Sequence, residues 1–356
     1  MKTITFLLLA GSVPVTVLAG ELPSAKAAAI DIPASDSRWR AGISFAPLLN
    51  ARAGFSNLGA FSSPFSPQPL GGGQNYEYEN GYVRVDASGN AGDATTNWGY
   101  ADASQYDPSG GGSIAFSLTR SLGNGSARET EDISPGFELF GYYEMGDITL
   151  TAGRPLTWGL RTGIHYANLS AGGRGTLTSD AERLTDRFVL GGIIPPSAGY
   201  EGTFGGPGAL LSDDPQRTTT VIADGASVSG DRDIDLDMVT FSAGPYLEIP
   251  LHENVSLFAE AGLSLSVARG EYEFESVTNI SGLGSQTSRG DNTRTKLLPG
   301  FFTGLSAAWQ LTERFGIHGS VRYQYIDRFD VDAAGSSASF TFDGAAIISL
   351  GGVWSF

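Results

Sequence analysis

Seven charged residues stand out by their spacing: Arg40, Glu138, Glu144, Arg161, Glu248, Glu260 and Arg322. Each lies in a segment whose neighbours at odd offsets are apolar, so a strand would turn the charges to one face and the apolar residues to the other. His165, Tyr246, His318 and Gln324 share that parity. Charges gathered away from water must be paired. Three arginines against four glutamates therefore predict an interlocked network of bidentate Arg–carboxylate contacts. Two readings follow: a structural plug, or the lining of a gated polar pore.

A second pattern is "DRDIDLD", where Asp231, Asp233, Asp235 and Asp237 share a strand face. Glu271, Glu273 and Glu275 do the same in "EYEFE", and pairing about a turn at 250–253 sets the two ladders side by side with Arg269 among them. Like charges across a ladder repel. Either a divalent cation such as Mg²⁺ or Ca²⁺ bridges them, or they form a solvated extension of the strands. Catalysis finds little to work with. The three histidines, His165, His252 and His318, fall at different heights, and no G-x-S-x-G is present. The expectation is a protein that is not an enzyme and carries no cofactor.

The elements that position these residues are strands. Val255, Leu257, Ala259, Ala261, Leu263, Leu265 and Val267 occupy every second position of one segment, longer than the 5–6 residues of a mean soluble strand and enough for the 9–11 of a tilted membrane crossing. The same alternation runs through Trp39–Phe45, Phe137–Tyr143, Leu156–Tyr166, Val239–Ile249, Leu297–Trp309, Phe315–Tyr325 and Ile348–Phe356, eight segments in all. Short links ("PLHEN", "LTER") alternate with long ones, notably 48–135 and 170–232. That asymmetry predicts an all-β, transmembrane, antiparallel up-and-down β-barrel of eight strands with short periplasmic turns and long extracellular loops. Further strand-like pieces in the first loop, "GYVRV", "TTNWGY" and "SIAFSLTR", leave ten strands as the alternative. Aromatic residues at the segment ends (Trp39, Trp158, Trp309, Tyr323, Tyr325, Trp354, Phe356) suit interfacial girdles.

Composition agrees. The chain has 356 residues, 22 basic and 38 acidic, for a formal charge of −16, which argues against nucleic acid as a partner. Cysteine is absent and glycine numerous, at 49, so backbone ladders and packing must hold the fold. Lys2, an apolar stretch and Val17-Leu18-Ala19 read as a signal peptide at 1–19, followed by a flexible lead-in at 20–36 and the barrel at 37–356.

The alternation, the signal peptide and the last strand, "GAAIISLGGVWSF", resemble the OmpA-type and Opa-type outer-membrane β-barrel proteins of Gram-negative bacteria. The resemblance is architectural and implies location in the outer membrane, with lipid and lipopolysaccharide around the barrel. It implies assembly through periplasmic chaperones and the barrel-assembly machinery, which would read Trp354 and the terminal Phe356. It also implies a structural or surface-display role (envelope integrity or adhesion), with an extracellular ligand met through the loops. A small conduit for small or hydrophobic solutes is the alternative.

Overall fold

The computed structural model describes residues 38–70, 73–85, 94–149, 155–206, 208–212 and 214–356; the expected signal peptide and lead-in lie outside them. In chain order the first strands are β1 (Trp39–Phe45), β2 (Leu48–Phe61), β3 (Tyr76–Tyr78), β4 (Gly81–Val83), β5 (Ala94–Thr95), β6 (Trp98–Tyr100) and β7 (Tyr106–Asp107). Next come β8 (Ser113–Ser134), β9 (Gly136–Thr149), β10 (Pro155–Val189), β11 (Tyr200–Glu201), β12 (Leu211–Ser212) and β13 (Gln216–His252). The last are β14 (Val255–Ile280), β15 (Gly284–Gln310), β16 (Phe315–Ile326), β17 (Phe329–Ala333), β18 (Ser336–Thr341) and β19 (Ala345–Ser355).

Antiparallel pairing runs from β1 through β9, β10, β13, β14, β15, β16 and β19, and β19 pairs back onto β1. Eight strands thus close a ring, which leaves no free edge at this level. The pieces that kept ten strands open do not enter it as extra members. "GYVRV" and "TTNWGY" contribute β4 and β6 to a small separate sheet, β11-β6-β4-β3, while "SIAFSLTR" begins β8.

The expected loop boundaries need correction. Strands occupy much of both stretches assigned to long loops: β2 and β8 lie inside 48–135, and β10 and β13 run far into 170–232. The ring continues upward as a second storey. β2 follows β1 past Pro47, β8 leads into β9 through Pro135, β17 follows β16, and β18 precedes β19. In that storey β8 pairs with β10 and β2, and β2 pairs with β18 and β19. Proline carries no N–H and interrupts a ladder, so the joints after β1 and before β9 sit where their prolines fall. The glycine- and serine-rich composition of these stretches resembles loop, but neighbouring strands supply the pairing partners.

Both faces of the sheet change character at one level. On β13 the outward residues run Pro245, Ala243, Phe241 and then Asp237, Asp235, Asp233; the inward ones run Ser242, Thr240 and then Met238, Leu236, Ile234. On β14 the outward run Leu263, Leu265, Val267 gives way to Arg269, Glu271, Glu273, while inward Ser264 and Ser266 give way to Ala268, Gly270 and Tyr272. The lower storey is apolar outside and polar inside; the upper is polar outside and apolar inside. Leu236, Met238, Tyr272, Leu298, Phe329, Val331, Phe340 and Ile347 belong to one buried cluster that fills the upper storey. Above it β3, β4, β6 and β11 form a cap with its own core around Trp98, Tyr78, Phe116 and Phe188. Buried Asp186 on β10 ties the cap down, accepting from Tyr78 (2.7 Å) and from both arms of Arg217 (2.8 and 2.7 Å).

Candidate functional site

The lower interior holds the charged residues. Arg161 projects inward from β10, Glu138 from β9, Glu260 from β14 and Arg322 from β16, each with a side chain 1% exposed. Glu138 Oε1 accepts from Arg161 at 2.6 Å and from Arg322 at 2.7 Å, and Arg161 Nε lies 2.9 Å from Glu260 Oε2. Two cations and two anions form one continuous chain across four strands. Phe302 lies beneath both guanidiniums, whose carbons stand 5.4 and 5.5 Å from its ring centre, a favourable cation–π arrangement.

Gly163 explains why the chain of charges fits. A Cβ there would stand 2.9 Å from Glu138 Oε1 and 3.2 Å from Arg161 Nη1, so the missing side chain is the space the ion pairs occupy. Arg40 and Glu248 form a separate, partly buried pair nearer the short-turn end. Glu144 is half-buried and outside both groups of ion pairs. His165 and His318 do not share a partner: His165 Nε2 bonds the Ala46 carbonyl at 2.8 Å, and His318 Nε2 lies 3.1 Å from the Tyr142 hydroxyl. Below the charges Phe140, Tyr142, Tyr246 and Phe258 form a buried aromatic layer; hydroxyls link neighbouring strands at Thr240–Ser266 (2.8 Å) and, two residues from Arg322 toward the short-turn end of β16, at Ser320–Ser349 (2.6 Å). Sequence reasoning does not assemble the aromatic layer as a unit, although Tyr142 and Phe258 follow the same inward parity.

Register sets the acidic ladders side by side: Asp231 opposite Glu275, Asp233 opposite Glu273, Asp235 opposite Glu271 and Asp237 opposite Arg269. Among the described residues no group of three or more His, Asp or Glu is arranged to hold a metal ion. Part of the charge is balanced within the chain. Arg174 grips Asp231 with two hydrogen bonds of 2.5 and 2.6 Å and holds its carboxyl below the usual range, while Tyr166 and Asn168 donate to Asp237. The ladder is a partly paired, solvent-facing surface.

On the outer face of the lower storey Leu263, Leu297, Leu350 and Phe356 are 64–75% exposed. Trp39, Trp158, Trp309 and Trp354 stand out toward its short-turn end, and Phe45, Phe137, Phe301 and Tyr323 toward the other. Trp354 and Phe315 form a tilted ring pair with centroids 5.2 Å apart, and the Phe356 N–H donates to Trp39 O, joining residue 356 to β1.

No family model matches the chain, and no curated protein matches it. Solved structures do. The chain is similar to Ail, the attachment invasion locus protein of Yersinia pestis, at 9% identity and a TM-score of 0.29, over 89% of this chain and 98% of that one. The same protein in complex with the heparin analogue sucrose octasulfate matches at 12% identity and a TM-score of 0.26, over 90% of this chain and 99% of that one. The outer membrane protease OmpT of Escherichia coli matches at 9% identity and a TM-score of 0.33, over 90% and 97%. Likeness at this level assigns neither activity nor ligand to the chain.

Proposed function

We propose that the chain is an integral outer-membrane β-barrel that acts as a surface-display scaffold and not as a pore or an enzyme. The observation that carries this reading is the simultaneous inversion of both faces at one level. A band of exposed leucine and phenylalanine that circles a molecule is unstable in water, yet it is the surface a bilayer requires of a barrel. The outward run from Leu257 to Val267 is 11 residues by its own numbering, matching the roughly 9–11 of a tilted crossing. Above Val267 water replaces lipid outside, and the interior takes over the apolar packing. The tall upper storey and its cap then stand on the extracellular side, where they present acidic and glycine-rich surface to ligands or neighbouring cells.

The ion chain supports a closed interior. Arg161 and Arg322 fill the section of the barrel with almost no exposed surface, in a ring whose eight strands leave room for little more than side chains. Purified protein in planar bilayers should therefore show no stable openings, and its gel migration should shift on boiling as intact barrels do. Stable single-channel steps would replace the scaffold reading with a conduit for small solutes.

A further inference from the structure

A pocket of about 290 Å³ opens on the outer face of the upper storey, lined by Arg52, Arg128 and Arg328 with Ser56, Ser126 and Thr341. It spans three strands. Arg128, Gly54 and Ser339 stand in one row across β8, β2 and β18, and Thr130, Arg52 and Thr341 stand in the next. Gly54 lacks the side chain that would fill the floor, since a Cβ there would meet Ser339 Oγ at 3.3 Å. Arg328 Nη2 donates to Ser339 Oγ at 2.9 Å, which turns its guanidinium toward that row. Among the described side chains no carboxylate is within ion-pair distance of any of the three arginines. Of the neighbouring acids, Asp330 bonds Lys296 and Arg294 while also feeling Arg328, Glu129 faces Arg232, and Asp327 Oδ1 accepts from the Arg328 backbone N–H at 2.8 Å.

Three guanidiniums and several hydroxyls around one hollow are unusual on a chain of net charge −16. On the opposite sector of the same storey the outward rows are acidic, with Asp233, Glu273 and Asp291 in register across three strands. The arginine sector is thus a built exception. A guanidinium fork matches the oxygens of a phosphate monoester in both geometry and charge.

Height decides which phosphate. Arg52 follows Leu49 by three residues along β2, and Arg328 follows Tyr325 by three in the link between β16 and β17, so each sits up to about 10 Å of extended chain above the apolar band. Asn50, left-handed at φ 61, slips the parity of β2 so that Arg52 turns outward while Ala51 and Ala53 turn in. A lipid whose acyl chains lie on Phe45, Ile133 and Ile348 carries its headgroup to this level.

We propose that the Arg52–Arg128–Arg328 pocket binds the phosphate of a phosphorylated outer-leaflet glycolipid, holding one lipid in place beside the barrel. The inference rests on the outer-membrane reading above. Full-length protein refolded in detergent would be mixed with bisphosphorylated lipid A, with dephosphorylated lipid A, or with inorganic phosphate, and read by native mass spectrometry. The wild type should retain the phosphorylated lipid roughly tenfold more than the Arg52→Gln/Arg128→Gln/Arg328→Gln variant, one charged contact being worth at least that. It should retain the dephosphorylated lipid no better than the variant does. An Asp233→Asn/Glu273→Gln control should behave as wild type. Equal retention by the triple variant overturns the site, and so does full displacement of the lipid by inorganic phosphate, which would make it a soluble-anion pocket. The boiling-dependent gel shift, run on the same samples, separates the two claims: its absence in the wild type counts against the barrel reading, while its presence with equal retention counts against the pocket alone.

Discussion

Replacing Glu138 with glutamine gives the sharpest test of the interior. Glu138 Oε1 is the only carboxylate oxygen within ion-pair distance of Arg322 among the described residues, whereas Arg161 also has Glu260 at 2.9 Å. The variant therefore strands one buried guanidinium, not two, and tips the four-member network from neutral to a net positive charge. Breaking a buried pair from one side costs about 3–5 kcal/mol, more than a hundredfold in the unfolding equilibrium. The substituted amide keeps a carbonyl acceptor for one hydrogen bond, so the lower part of that range applies. Removing Arg322 as well, in Glu138→Gln/Arg322→Gln, restores neutrality, and the double variant should cost less than the two singles together by about 2 kcal/mol. Urea unfolding of full-length protein in phospholipid vesicles measures this, with Trp39, Trp158, Trp309 and Trp354 on the outer face reporting the loss of lipid contact. A Glu138→Gln penalty below about 1 kcal/mol with additive single effects would mean that the charges are not coupled, and the network could not be what closes the interior.

Two further perturbations act in the upper storey and its cap. Asp186→Ala leaves the part-buried Arg217 and the Tyr78 hydroxyl without their shared acceptor; it should loosen the cap by about 3 kcal/mol while the ring stays intact, seen as faster tryptic cleavage at Arg84 with an unchanged gel shift. Asp330 is held below the usual carboxylate range, chiefly by its hydrogen bond to Lys296 and then by the charges of Lys296 and Arg294. Because its folded value is the lower one, its contribution to stability is present above the ordinary carboxylate value near 4 and is lost as pH falls through the depressed one. The protection of the β17 and β18 amides, relative to their intrinsic exchange rates, should therefore fall as pH drops below about 4, and an Asp330→Asn protein should show no such step.

Much of the lower storey is legible in the chain because its information is local. Period two assigns Leu257 and Leu263 to one face and Glu260 to the other without knowledge of any partner strand. The short turn at 250–253 likewise fixes the register that places Asp233 opposite Glu273. The upper storey is not legible in the same way. Segments such as "SAGGRGTLTSDAERLTDR" are polar and rich in small residues, so periodicity is faint, and their pairing comes from strands elsewhere in the chain. The slip at Asn50 and the prolines at 47 and 135 also break the parity count at the joints.

The sequence by itself determined which residues face which way along each crossing strand, since side-chain direction in an extended chain depends only on odd or even position. It also determined that no disulfide holds the fold. Tertiary structure alone decided who meets whom: Arg322 reaches Glu138 across 184 residues, and Arg52, Arg128 and Arg328 converge on one hollow from three separate segments. Closure of the ring is the physical reason, because strands distant in sequence become neighbours only when the last one pairs with the first.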